Sequence, residues 1–205
     1  MPQDFTIKEL TVSLPCREGL VQIRSNGKAE IRRNNKVDQF QLPIYEGAFF
    51  VEKLYFSDCL GDFLIAYDIS NSIAEGISMV VRIDRESLGI MWRTVIRSCY
   101  VSEPLLQGHF LYVAAIGWAG KIDIRTGLYI WEIRGLYASG TTSDKRGWSC
   151  YNSFLRPELK GTTVIFPEDP EHLDAHRPFP PQKLVVDDKS GKVISGIVPS
   201  DKKRD

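Results

Sequence analysis

The chain has no excess charge of either sign. Lys and Arg together number 26, and Asp and Glu together also number 26, so the formal net charge is zero. Without net charge there is no long-range attraction to nucleic acid or to an anionic membrane, and only a local patch could supply one. No such patch stands out along the sequence. We therefore predict no nucleic-acid partner and no membrane association.

Long hydrophobic runs are also missing. No apolar segment approaches the roughly 20 residues that a membrane-spanning helix needs. Residues 1–9 lack the basic region followed by an apolar region that marks a secretory signal. The chain as given is therefore predicted to be cytoplasmic.

Cysteine is sparse and the common catalytic motifs are lacking. The four cysteines form no CxxC pair, which argues against a zinc knuckle or a dithiol redox site, and we expect free thiols. There is no Gly-x-Ser-x-Gly nucleophile elbow and no glycine-rich phosphate loop before a helix. The sequence thus offers no nucleophile, base or cofactor motif, and we predict a non-enzyme without a cofactor.

What the sequence does contain is a repeat. Four times a glycine opens a short run rich in Val, Ile, Leu, Tyr and Phe, with a cysteine shortly upstream. Residues 98–102 read Ser-Cys-Tyr-Val-Ser, and residues 149–153 read Ser-Cys-Tyr-Asn-Ser. Repeats of about 20–50 residues are typical of solenoids and propellers. The four glycines are Gly19, Gly61, Gly108 and Gly161.

A second pattern predicts a tight hairpin after each run. Residues 121–131 read Lys-Ile-Asp-Ile-Arg-Thr-Gly-Leu-Tyr-Ile-Trp, with an Asp, a Thr-Gly turn and a Trp at fixed offsets. A turn with positive φ selects Gly or Asn, and a flanking Asp, Ser or Thr can bond nearby backbone N–H groups. The Trp offers a broad apolar surface to a neighbouring sheet.

The other three units carry altered copies of this hairpin. Residues 82–92 keep the Asp-to-Trp interval, with the turn placed from Glu86 to Gly89. Residues 185–195 keep the Asp and a Ser-Gly turn but end on Ser in place of Trp, and residues 29–39 are the most altered, with an Asn-Asn turn. Each unit therefore contains four short strands.

These units predict an all-β fold, a small β-propeller of four four-stranded blades within a single domain, 1–205. A β-sandwich is the alternative, because regular short strands separated by turn residues fit that fold too. The predicted blades are 5–42, 48–96, 98–134 and 148–198.

The third unit carries a family resemblance. Its Asp123, Thr126-Gly127 and Trp131, preceded by Gly108 and Tyr112, resemble a blade of the quinoprotein (PQQ-like) propellers. In that family the Asp-x-x-Thr-Gly-x-x-x-Trp motif docks one blade against the next, so the resemblance implies the same role here. The second and fourth units are similar to it in a weaker form, and the first is weaker still.

The resemblance implies a fold rather than a chemistry. Quinoprotein dehydrogenases have about twice as many blades, a calcium ion and a pair of adjacent cysteines, and this sequence has no adjacent cysteine pair. Related non-enzymatic members, such as the outer-membrane-protein assembly lipoprotein, use the same blades as protein-binding scaffolds. Four units could close a small ring or pair with a second chain, so we predict a monomer or homodimer and favour the four-bladed monomer.

Strand order predicts one plain face and one loop-rich face. The turns between third and fourth strands are short, while the other class of connection contains residues 68–77, the turn at Trp118, residues 135–147 and residues 167–181. Long loops on a rigid scaffold commonly carry recognition, although they can also be tolerated insertions. The candidate partner-binding residues are Trp118, Tyr137, Trp148, Tyr151, His172, Asp174 and His176.

Two alternatives remain open at these residues. The aromatic side chains are either exposed anchors for a protein partner or buried between blades. His172, Asp174 and His176 could bind a metal ion, but the prolines around them argue against the helix that would bring both histidines together, so we predict a solvated loop without metal.

The sequence therefore predicts a non-catalytic protein-binding module. A narrower form of this prediction is an immunity-type inhibitor that masks a partner protein through the loop-rich face. The alternative function is a metal- or small-ligand-binding propeller enzyme that uses the His172/His176 loop.

Overall fold

The computed structural model describes an all-β chain made of four separate sheets. It describes residues 11–16, 19–24, 26–33, 36–44, 50–70, 76–136, 153–172 and 181–197. Each sheet has four antiparallel strands in sequential order, and each falls within one of the four predicted units. The prediction of an all-β fold of four four-stranded units is confirmed, and four separate sheets do not fit the β-sandwich alternative.

The strands of the first two sheets follow the chain without crossovers. The first sheet contains β1 (Thr11–Cys16), β2 (Gly19–Arg24), β3 (Lys28–Arg33) and β4 (Lys36–Gln41). The second sheet contains β5 (Phe50–Cys59), β6 (Asp62–Ser70), β7 (Gly76–Ile83) and β8 (Ile90–Ile96).

The last two sheets repeat this arrangement. The third sheet contains β9 (Leu105–Gln107), β10 (Phe110–Ala115), β11 (Trp118–Asp123) and β12 (Leu128–Arg134). The fourth sheet contains β13 (Glu158–Lys160), β14 (Thr163–Pro167), β15 (Lys183–Asp187) and β16 (Val193–Gly196). A single 3₁₀ turn, Pro170–His172, is the only helical element of the described ranges, which hold no helix long and apolar enough to cross a membrane.

Neighbouring sheets pack face to face in chain order. Phe63 and Leu64 are adjacent in β6, yet Phe63 lies in the core between the first and second sheets and Leu64 in the core between the second and third. The core between the third and fourth sheets contains Tyr112, Phe166 and Leu184. Because alternate side chains of a strand point to opposite faces, one strand can serve two cores.

Burial distinguishes the two inner sheets from the two end sheets. Every residue of β11 is buried, and so are the last six residues of β7, so these strands are covered on both faces. In β4, β14 and β15 exposed or half-buried residues alternate with more buried ones. Within the described part of the chain, the first and fourth sheets therefore have one covered face each.

The predicted docking motif joins the second sheet to the third. The Trp92 indole Nε1–H and the Arg82 Nη1–H both donate to the carbonyl oxygen of Ile124, at 2.8 and 3.0 Å. Ile124 follows Asp123, the first residue of the motif in the next sheet. A Cβ atom on Gly127 would lie 2.6 Å from the Trp92 ring, so the glycine lets the two sheets approach.

The same docking contact joins the third sheet to the fourth. Trp131 Nε1–H donates to the Asp188 carbonyl at 2.9 Å, and Lys121 Nζ donates to the same oxygen at 3.1 Å. Lys121 also pairs with the Asp188 carboxylate at 2.8 Å. The role that the resemblance implied for the Asp-to-Trp motif is therefore observed twice.

The end sheets lack the pair of donors that makes this contact. Arg82 and Trp92 are a cross-strand pair, as are Lys121 and Trp131. In the fourth sheet the corresponding pair is Val185 and Ser195. Within the described ranges, the two inner sheets are the ones that donate this docking contact.

Two leucines occupy backbone conformations that favour glycine. Leu88 has φ 56° at the turn position where the third and fourth sheets have Gly127 and Gly191, so a leucine takes the positive φ within the turn predicted from Glu86 to Gly89. Leu88 packs into the core between the first and second sheets. That core has no Trp of the docking motif, which leaves space for a leucine side chain.

Leu60 is the second case, and it gives a stability prediction. It has φ 50° directly after β5, where the third and fourth sheets have Gly108 and Gly161, and 63% of it is exposed. The left-handed conformation costs a non-glycine residue about 1–2 kcal/mol, and the greater freedom of glycine in the unfolded chain offsets part of the gain. Leu60→Gly should therefore raise the free energy of unfolding by about 0.5–1 kcal/mol in urea denaturation. Leu60→Ala, which keeps the strain, should change it little, and equal effects of the two substitutions would contradict this account.

The fourth strands of three sheets share a β-bulge. The register shifts between Arg82 and Ile83, between Lys121 and Ile122, and between Val185 and Val186. In each case one residue of the outer strand is left out of the pairing, and its apolar side chain is about half exposed. These residues are Met91, Ile130 and Ile194, at 51%, 46% and 55% exposure.

Candidate functional site

A cleft of about 390 Å³ opens between the second and third sheets where the first strands converge. Two residues of β5 and two of β6 form one side, residues of β9, β10 and the segment before β9 form the other, and Arg156 reaches it from the segment before β13. The volume lies within the range of roughly 300–1,000 Å³ that ligand-binding pockets span. The lining residues are Tyr55, Ser57, Leu64, Ala66, Glu103, Pro104, Leu106, Leu111 and Arg156.

The cleft combines apolar walls with a charged mouth. Leu64 and Leu111 are buried members of the core between the second and third sheets. At the mouth, Arg156 Nη1 lies 3.2 Å from Glu103 Oε1, and both side chains are more than half exposed. The hydroxyl group of Tyr55 adds a polar atom to the lining. Such a mixture of apolar surface and a few polar groups is typical of recognition sites.

Burial and negative charge both act on the Tyr55 hydroxyl. Burial raises the pKa of Tyr55, and the negative charges of Glu103, Asp68 and Asp169 raise it further. An added negative charge makes deprotonation harder, so the shift reports the sign of the local potential. The carboxylates that act on Tyr55 thus contribute negative charge on this side of the cleft.

The segment 98–104 positions Glu103. Ser98 Oγ–H donates to the Ile116 carbonyl at 2.5 Å, and Ile116 N–H donates to the Cys99 carbonyl at 2.9 Å. Val101 N–H donates to the buried carboxylate of Asp68 at 3.0 Å. These bonds hold Tyr100 at φ 58°, a conformation that non-glycine residues adopt at some energetic cost.

A matching set of bonds positions Arg156. Leu155 N–H donates to the Pro167 carbonyl at 2.8 Å, and Asp169 N–H donates to the Ser153 carbonyl at 2.9 Å. Glu168 pairs with Phe154 and is 2% exposed. The backbone on both sides of the Glu103–Arg156 ion pair is thus fixed, while the two charged side chains extend into solvent.

Trp118, a predicted partner-binding residue, is buried. It is 4% exposed, its Nε1–H donates to Glu132 Oε2 at 3.0 Å, and its ring meets that of Tyr129 edge-on at 5.7 Å. The turn before it consists of Ile116 and Gly117 alone, so it is not one of the long connections expected on the loop-rich face. Of the two alternatives for its side chain, the buried one holds.

The other predicted residues fall largely outside the described part of the chain. His172 ends the 3₁₀ turn after β14, where its backbone alone is described. Within the described ranges, no three His, Cys, Asp or Glu side chains are grouped closely enough to hold a metal ion. The residues outside the described ranges are Tyr137, Trp148, Tyr151, Asp174 and His176.

Sequence reasoning missed the cleft, although one signal pointed toward it. The stretches Ser-Cys-Tyr-Val-Ser and Ser-Cys-Tyr-Asn-Ser end at Ser102 and Ser153, just before Glu103 and Arg156. Their similarity marked two equivalent connections between sheets. It could not show that charged side chains of both connections reach the same cleft.

The comparisons with known proteins give a fold and nothing finer. No protein-family model and no curated protein matches the chain. Among solved structures, BamB from Moraxella catarrhalis matches at 12% identity and a TM-score of 0.54, over 93% of this chain and 51% of that one. The chain therefore spans about half the length of that structure. This similarity places the chain in the β-propeller class.

Two further solved structures have lower TM-scores. AztD from Citrobacter koseri matches at 16% identity and a TM-score of 0.49, over 92% of this chain and 46% of that one. The quinohemoprotein alcohol dehydrogenase ADHIIG from Pseudomonas putida HK5 matches at 11% identity and a TM-score of 0.47, over 78% of this chain and 34% of that one. The fold-level resemblance that the sequence indicated rests on the match to BamB.

Proposed function

We propose that this chain is a non-catalytic protein-binding module whose recognition site is the cleft between the second and third sheets. The observation that carries the proposal is a pair of exposed apolar side chains on the two chain segments that supply the charged residues of the cleft. Tyr100 and Leu155 belong to the segments that supply Glu103 and Arg156, and they are 38% and 44% exposed. Apolar anchors beside a polar rim are the usual anatomy of a protein-binding hot spot.

The rigidity of these segments supports the proposal. Backbone hydrogen bonds hold Cys99, Val101 and Leu155 to the sheets, so the exposed anchors sit on ordered backbone. Preorganised anchors lose less conformational entropy on binding than flexible ones. The left-handed conformation of Tyr100 fits a site where local strain is kept because the surroundings enforce it.

Site-specific photo-crosslinking tests the proposal. A photo-reactive amino acid at position 100 or 155 should crosslink one discrete protein in extract from the native host. The same group at position 128, where the exposed Leu128 lies on an outer strand, is the matched control. Equal labelling from position 128 would count against the cleft as the recognition site.

The captured partner then allows a quantitative test. With both proteins purified, Leu155→Ala and Tyr100→Asn should each weaken binding at least about tenfold, since hot-spot truncations cost about 2 kcal/mol or more. Leu128→Ala should leave the affinity unchanged. Asn tolerates positive φ, so Tyr100→Asn removes the ring without adding strain. Calorimetric titration measures all three affinities, and unchanged binding by both cleft variants would refute the site.

The same complex tests the narrower prediction of an immunity-type inhibitor. If the partner is an enzyme, its activity with and without a saturating amount of this chain shows whether binding masks the active site. If the partner enzyme stays fully active in the complex, the proposal of a binding module still holds, but the narrower prediction of an inhibitor is wrong.

A further inference from the structure

The cleft has the shape and chemistry to accept one long polar side chain. Its walls are aliphatic, from Leu64, Leu106 and Leu111, and its lining also includes the hydroxyl-bearing residues Tyr55 and Ser57. Long charged side chains bury their methylene stems against such apolar walls and keep the head group among polar atoms. A volume of about 390 Å³ suits an inserted side chain better than a helix or a strand.

The electrostatics select the sign of the head group. Glu103, Asp68 and Asp169 all act on the Tyr55 hydroxyl with negative charge. A cation entering the cleft gains Coulomb energy from these carboxylates, whereas an anion would be repelled. The hydrogen-bond acceptors at the mouth are the carboxylate oxygens of Glu103. Carboxylates form strong charge-assisted hydrogen bonds with guanidinium and ammonium groups.

Arg156 shows which group the mouth accepts. Its guanidinium lies 3.2 Å from Glu103 Oε1 and comes from a different sheet. The pair is more than half exposed on both sides, and exposed ion pairs contribute little to stability. A second cation can therefore replace Arg156 at Glu103 at small cost.

We propose that the cleft binds an arginine or lysine side chain of a protein partner, with the stem against the leucine walls and the head group on Glu103 in place of Arg156. The inference rests on the proposed function, because it names the chemical group that the partner inserts. It also implies that Arg156 occupies the position on Glu103 when no partner is bound.

Titration with blocked amino acids tests the inference without a known partner. N-acetyl-arginine amide and N-acetyl-lysine amide should give saturable NMR shifts at the amides of Tyr55 and Glu103, and N-acetyl-glutamate amide should not. Glu103→Gln should weaken the arginine probe at least about fivefold. Arg156→Gln should tighten it about two- to threefold, because the internal competitor is gone.

A matched control and two contrary results make the test decisive. Glu158→Gln alters an equally exposed carboxylate, 2.6 Å from Lys160 and outside the cleft, and should change nothing. If Arg156→Gln weakens binding and the glutamate probe saturates, the cleft is an anion site and the inference is wrong. No saturation by either cationic probe at tens of millimolar also overturns it. Free arginine or spermidine that binds tenfold more tightly than the blocked amide would assign the cleft to a small molecule instead.

The failure of this inference differs from the failure of the proposed function. Suppose that a crosslinked partner keeps its affinity after each of its contacting Arg and Lys residues is replaced. The proposed binding function would then still hold, but the inference of a cation site would be wrong. Saturable binding of blocked arginine through Glu103, with no protein crosslinked at Tyr100 or Leu155, would support the cation site and contradict the proposed protein-binding function.

Discussion

Replacing Gly191 by alanine should lower the free energy of unfolding by about 3 kcal/mol. Gly191 has φ +72°, and the left-handed conformation costs alanine about 1–2 kcal/mol. The new Cβ would also lie 2.6 Å from Trp131 Cγ, and forcing an extra carbon into a packed contact costs about 1–3 kcal/mol. Chemical denaturation followed by tryptophan fluorescence measures the change.

Gly161→Ala is the matched control for this prediction. Gly161 has φ +60°, but nothing lies within 4 Å of the position of its missing Cβ. Its replacement should therefore cost only the backbone strain, about 1–2 kcal/mol. The double variant Gly191→Ala/Trp131→Leu should lose less stability than the two single variants lose together, because the smaller side chain relieves the clash. Equal costs at positions 161 and 191 would show that glycine and indole do not pack closely.

Removing the charge of Arg82 should cost about 3–5 kcal/mol of stability. The Arg82 side chain is 10% exposed, and its Nε and Nη2 both donate to Asp62 Oδ2, at 2.8 and 2.5 Å. Arg82→Met would leave the Asp62 carboxylate nearly buried without its partner, and breaking such a pair from one side is strongly destabilising. It would also take one of two donors from the Ile124 carbonyl. Urea denaturation measures this loss.

Two comparison variants identify the cause of that loss. Lys160→Met breaks the Lys160–Glu158 pair, whose side chains are 66% and 50% exposed, so it should cost about 1 kcal/mol or less. Arg82→Met/Asp62→Leu removes both charges and should recover much of the stability lost in Arg82→Met alone. If the double variant is no more stable than the single one, the unpaired carboxylate is not the reason for the loss.

The hairpins were predictable because their turn chemistry is local. In the second sheet Asp84 Oδ1 accepts from the N–H and hydroxyl of Ser87, at 2.7 and 2.6 Å. In the fourth sheet Asp187 Oδ1 accepts from the same groups of Ser190, at 2.8 and 2.5 Å. Residues three apart in sequence make these bonds, so spacing alone reveals them.

The exceptions depend on the neighbouring sheet. The turn predicted from Glu86 to Gly89 contains a glycine, yet Leu88 takes the positive φ. The requirement for glycine at this position comes from the Trp of the preceding sheet, which meets Gly127 and Gly191 but has no counterpart in the first sheet. Local sequence carries no information about that contact.

The cleft was not predictable for the same reason. Tyr55, Glu103 and Arg156 belong to three different repeats, and each is an ordinary polar residue in its own segment. Their proximity follows from the order in which the sheets stack. The burial of Trp118 is a similar case, since a tryptophan after a turn fits both an exposed anchor and a packed ring until the partners Glu132 and Tyr129 are known.

The bulges of the outer strands have a consequence for how copies of this chain behave together in solution. A straight edge strand presents a row of unpaired N–H and C=O groups that a strand of another chain can pair with, which is the first step of amyloid-like stacking. The additional residue at Met91, Ile130 and Ile194 interrupts that row in β8, β12 and β16. The fourth strand of the first sheet, β4, pairs with β3 in regular register but carries the charged residues Lys36 and Asp38. The fourth strand of every sheet thus carries a feature, either a bulge or charged residues, that disfavours pairing with another chain.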